Sequence, residues 1–118
     1  DCPVKLEELP VAESVRRTVD RLTYYRNPGE TKQSALGRYY LRMRDTPSAC
    51  IIKLFDRCHN ISSMSQAFTK GKLVSYIKET REYVYPLAEY VKQNYLEFRP
   101  AVFLLEYQMK SIIAAVER

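Results

Sequence analysis

The chain has 118 residues, 46% of them hydrophobic and 28% charged, with a formal net charge of +5. That length and balance suit one domain that buries about two thirds of its unfolded surface, and they exclude a disordered segment or a multidomain array. With 3 glycines the chain has little turn chemistry for an all-β fold, and no apolar run nears the ~18 residues of a membrane span.

Val11, Val15, Val19 and Leu22 recur at helical spacing, and Pro10 stands where a first-turn proline is tolerated. Asn27-Pro28-Gly29 breaks the chain. A second helix is predicted from Lys32 to Arg44, with Ala35, Leu36, Tyr39, Tyr40 and Met43 inward. Thr46-Pro47 restarts the chain, Thr as N-cap and Pro at the first helical position. Residues Ala49 to Phe55 are apolar almost all round, which fits a buried strand or a helix at the centre of a bundle. The Thr-Pro cap and the length of the segment to Met64 favour the helix. Gly71 marks the next boundary, followed by a stripe of Leu73, Ile77, Thr80, Val84, Leu87 and Val91. Pro86 predicts a kink or break near residues 82–85. A last helix begins near Pro100 and buries Val102, Leu105, Met109, Ile112 and Val116. The expectation is a single all-α domain over residues 1–118, a compact bundle of about five helices.

Cys2, Cys50 and Cys58 form no regular disulfide framework. On a helix, Cys50 and Cys58 lie about 12 Å apart, too far to bridge. Small buried thiols in a reducing cytoplasm are the expected reading. The central helix then turns polar. Asp56, Asn60 and Ser63 sit at i, i+4 and i+7 and share a face. A carboxylate buried there costs several kcal/mol unless it is paired or binds a metal. Two readings stay open on spacing alone: a buried hydrogen-bond network with Arg57 or Lys53 reaching the rim, or a ligand site. His59, the single histidine, cannot build a His-rich metal site unaided.

The run Lys53-Leu54-Phe55-Asp56-Arg57-Cys58-His59-Asn60 resembles the K-L-x-D-R-x-H-N segment of the HD-domain phosphohydrolases of the RelA/SpoT type. Those enzymes hydrolyse the alarmone guanosine tetra- and pentaphosphate, (p)ppGpp. Leu22-Thr23, Thr46 to Ala49, and Glu79-Thr80 with Tyr85-Pro86-Leu87-Ala88 are similar to flanking family positions. The likeness spans about residues 1–91 and implies an all-α bundle. It also implies that Asp56 is the distal ligand of a Mn²⁺ ion, that Asn60 lies beside the nucleotide, and that Ser63 stands where a Thr faces the ribose. Ser62 replaces a frequent Arg, and His59 is no metal ligand in the family.

The opening from Asp1 to Pro10 resembles the family's segment at the end of its H-D-x-x-E-D run, with Asp1 as the last, catalytic Asp of that run. On that reading the upstream metal-binding histidines, their paired Asp and the Glu are not in this sequence. The chain alone is then expected to bind Mn²⁺ poorly and to hydrolyse nothing. In the complete domain the metal would polarise a water and neutralise phosphate charge. Asp1 would help orient or deprotonate that water for attack on the 3′-pyrophosphate. Arg38, Arg42, Lys53 and Arg57 are candidates to offset substrate charge. The implied partner is a nucleotide polyphosphate, with no nucleic acid and no membrane. One alternative is a non-catalytic helical regulatory or interaction module derived from the same fold. Another, a basic nucleic-acid binder, is disfavoured because the cations form no single stripe and the tyrosines fall on apolar faces.

Overall fold

Residues 13–67 and 69–117 are described by a computed structural model, and among them every regular element is helical. α1 spans Glu13–Leu22, α2 Lys32–Arg42, α3 Pro47–Ala67, α4 Lys70–Glu79, α5 Tyr85–Asn94 and α6 Arg99–Val116. A π-helical turn, Thr80–Val84, joins α4 to α5 without a break, so these two run on as one rod and the bundle has five helices.

The helix starts reflect local chemistry. The Thr31 hydroxyl accepts from Ser34 N at 3.1 Å and opens α2, and Thr69 accepts from Lys72 N at 3.4 Å and opens α4. Each such cap is worth about 1 kcal/mol. Thr69 therefore marks the boundary expected at Gly71, which lies inside the first turn of α4. Thr46 stands in extended backbone before Pro47, and its carbonyl accepts from Cys50 N at 3.1 Å. Its hydroxyl donates to Asp45 at 2.7 Å.

Pro86 has no N–H, and in a regular α-helix its ring would collide with the Glu82 carbonyl four residues back. The chain answers by widening the turn before it, with the Tyr85 N–H donating to the Thr80 carbonyl. The expected kink is thus a π turn, and the helix continues through it. Leu73, Ile77, Thr80, Val84, Leu87 and Val91 remain buried on either side of the widened turn.

α3 is the central helix and packs most extensively on α6, with α1 and α5 also against it. Its buried arc is Ala49, Cys50, Leu54, Arg57, Cys58 and Ile61. The sequence suggested burial all round, but Ile52 and Phe55 are 48% and 55% exposed. Ile52 borders a shallow apolar cavity of about 390 Å³ with Val15, Val19 and Leu22 of α1. α1 is held chiefly by polar ties: Arg21 makes a two-pronged ion pair with Asp45 at 3.0 and 3.1 Å, and Arg42 reaches Asp20 at 3.1 Å. Among the described residues no helix is long and apolar enough to cross a membrane.

Candidate functional site

An α-helix turns 100° per residue, so neighbours in the Lys53–Asn60 run serve different faces. Asp56 and Asn60 stand one turn apart on the outer arc of α3, and Asn60 Nδ2 donates to Asp56 Oδ2 at 3.4 Å. The Asp56 side chain is 54% exposed, Asn60 is half-buried, and Ser63 and His59 are exposed. Lys53 Nζ lies 3.9 Å from Asp56 Oδ2 on a largely buried side chain. Asp56, Asn60 and Ser63 do share a face, as the spacing predicts, but that face is a polar edge open to solvent rather than the core. Asp56 lies outside the buried arc of Ala49, Cys50, Leu54, Arg57, Cys58 and Ile61, so the expected cost of burying it does not arise.

The buried polar residue is Arg57, 3% exposed. Its Nη2 donates to Glu79 Oε2 at 2.5 Å and to the Tyr40 hydroxyl at 3.0 Å. Its guanidinium carbon lies 4.0 Å from the centre of the Tyr76 ring, a cation–π contact. Tyr83 stacks on Tyr40 at 5.6 Å, which closes the cage from α2 and the π turn. Nε and Nη1 of Arg57 are buried and meet no acceptor among the described residues. Burial pushes the Tyr40 and Tyr76 phenols above their ordinary range, so both stay protonated at neutral pH. Burial, and then the Arg57 charge, lower the pKa of Lys53.

Of the four cations expected to face a substrate, three are committed elsewhere. Arg57 is sealed inside, Arg38 pairs with Glu30 and covers the Tyr25 ring, and Arg42 pairs with Asp20. Lys53, its side chain 17% exposed, stands beside Asp56 with its ammonium over the Tyr39 and Tyr40 rings at 5.3 and 5.8 Å. The cage of Tyr40, Tyr76 and Glu79 is the part that sequence reasoning missed. Its signal was present: Cys50, Leu54, Arg57 and Ile61 form one buried stripe, and a cation in such a stripe requires a paired charge and hydrogen-bond acceptors.

Burial raises the Cys50 thiol to about 12 and the Cys58 thiol above its ordinary value. Both are therefore protonated at neutral pH, packed as small apolar groups and unsuited to nucleophilic attack. Among the described residues no group of three or more His, Cys, Asp or Glu side chains is arranged to hold a metal ion. Mn²⁺ prefers six hard oxygen ligands, and Asp56 brings one carboxylate. The described residues by themselves do not fit a Mn²⁺ site. Asp1, expected as a catalytic group, lies outside the described residues. Comparison with family models, with curated proteins and with solved structures found no match.

Proposed function

We propose that this chain is the substrate-facing part of an HD-type metal-dependent phosphohydrolase acting on (p)ppGpp or a related guanosine 3′-pyrophosphate, in the cytoplasm. The observation that carries the reading is the outer edge of α3. Asp56, Asn60 and Ser63 are presented to solvent on successive turns of a helix whose other side is locked by Arg57. A carboxylate, an amide and a hydroxyl in that order match the groups that the K-L-x-D-R-x-H-N resemblance assigns to metal, nucleotide and ribose. Lys53 would add a charge-assisted contact to phosphate. Asp56 would give Mn²⁺ one ligand, and further ligands must come from outside the described residues, so no chemical step is assigned to the metal.

Nuclear magnetic resonance of the chain tests this without relying on turnover. Guanosine tetraphosphate should shift the amides of residues 53–63, and Asn60→Ala should weaken binding by about tenfold, the worth of one or two hydrogen bonds. In a longer chain with the upstream segment, Mn²⁺ should broaden signals around Asp56, and Asp56→Asn should remove that broadening. Shifts and broadening centred away from α3 would remove the basis of the proposal. If the nucleotide binds at α3 yet a longer chain with the upstream segment shows no hydrolysis, the non-catalytic regulatory module is the correct reading.

A further inference from the structure

A second cleft lies away from the α3 edge, between α4 and the last turn of α6, with a volume of about 570 Å³. Known small-molecule sites span ~300–1,000 Å³, so the space is of ligand size. Its floor is Leu73, Val74 and Ile77 from one face of α4, met by Val116 of α6. Val74 is 58% exposed, an apolar side chain left open at the middle of that floor.

The charges around this floor are unevenly placed. At the far end Arg81 is matched by Glu117 at 2.6 Å, and Lys78 faces Glu82 at 3.9 Å, so these two cations have carboxylate neighbours. Lys70 lines the opposite end, two turns of α4 before Lys78, and among the described residues no carboxylate lines the cleft there. Among the described residues, three lining cations against two lining carboxylates leave a positive excess, and it falls at Lys70. A ligand with an apolar body and one negative head would match both features, body over Leu73, Val74 and Ile77 and head at Lys70. A cationic head would meet Lys70 without compensation.

We infer that this cleft binds a small amphipathic anion, a free straight-chain carboxylate with its head at Lys70 and its chain along α4 towards Val116. The site is independent of the nucleotide reading, because none of its residues belongs to the α3 edge.

Three probes with the same chain and different heads test the inference: dodecanoate, dodecanol and dodecylamine, each kept below its aggregation limit. Calorimetric titration should show saturable dodecanoate binding, about tenfold tighter than dodecanol, as one charge-assisted contact implies. Methyl signals of Leu73, Val74, Ile77 and Val116 should shift on binding. Lys70→Glu should weaken dodecanoate about tenfold and strengthen dodecylamine, a reversal that general loss of structure would not produce. Val74→Glu, a substitution at an exposed position that should leave the circular dichroism unchanged, should abolish binding of dodecanoate. Equal binding of dodecanoate and dodecanol, no saturable binding of dodecanoate, or methyl shifts confined to the exposed Leu104 on α6 would each overturn the inference.

Discussion

Arg57 is the residue on which the candidate site depends, although its buried guanidinium lies away from the solvent-facing edge. A cation taken out of water is costly, and this one is compensated by Glu79, the Tyr40 hydroxyl and the Tyr76 ring. Those partners come from α2 and α4, so one side chain joins three helices and sets the rotation of α3 that turns Asp56 outward. Removing it leaves Glu79 without its cation. Arg57→Ala is expected to lower stability by about 3 kcal/mol, measured as the urea midpoint at constant slope. Arg57→Lys should recover little, since an ammonium cannot hold two acceptors while lying flat on a ring. Glu79→Gln should cost less than Arg57→Ala, because it keeps an acceptor and Glu79 is partly open to water.

Among the elements, α1 is the most weakly held. Leu22 alone of its described residues packs against the core cluster, and its other contacts with the bundle are ion pairs, hydroxyl contacts and the rim of an open apolar cavity. The Arg21 and Thr46 hydrogen bonds hold the Asp45 carboxyl at about 2, below its ordinary 3.8. Glu30, in the loop after α1, is likewise held at about 2, first by Arg38 and then by the Asn27 backbone. Between those values and the ordinary ones the unfolded chain binds more protons than the folded one, so stability falls as pH falls. The docking of α1 should be intact at about pH 5 and lost on the way to about pH 2, read as loss of amide protection in Glu13–Leu22 before the rest of the bundle. Salt at about 1 M should weaken the same docking, because these pairs are largely exposed. Equal protection of α1 and α3 throughout the acid titration would contradict this.

At the scale of the whole molecule, stability rests on the contact of α3 with α6 and on the α5 rod packed beside them. Leu54, Ile61, Leu87, Val91, Val102 and Met109 fill that space and are almost wholly excluded from water. Part-buried polar ties cross it among the described residues: Glu106 of α6 accepts from Lys92 of α5 at 2.6 Å, and Cys58 of α3 donates to Gln108 of α6 at 3.6 Å. Met109→Ala is expected to cost about 2–5 kcal/mol through the lost apolar contact and the cavity left behind. The loss should appear as one earlier cooperative thermal transition with α3 and α6 melting together. Separate melting of α6 would mean that the bundle is not a single cooperative unit.

Helix positions were legible in the sequence because the determinants are local. The Asn27-Pro28-Gly29 break, Thr46-Pro47, Pro86 and the four-and-three stripe after Leu73 act over a few residues, and each falls near a corresponding feature of the fold. The all-α class rests on the same signals. Which face of α3 turns inward was a different matter. Asp56 and Arg57 are adjacent in the chain and 100° apart on the helix, and both faces contain apolar residues. Ile52 and Phe55 made the outer face resemble the inner one. Only the arrival of Tyr40 from α2 and of Tyr76 and Glu79 from α4 makes Arg57 the inward residue, by supplying the acceptor and ring it needs. The sequence by itself determined where this protein is helical and where those helices stop. The tertiary structure decided which charge is buried and which is offered to solvent, because that depends on partners far away in the chain.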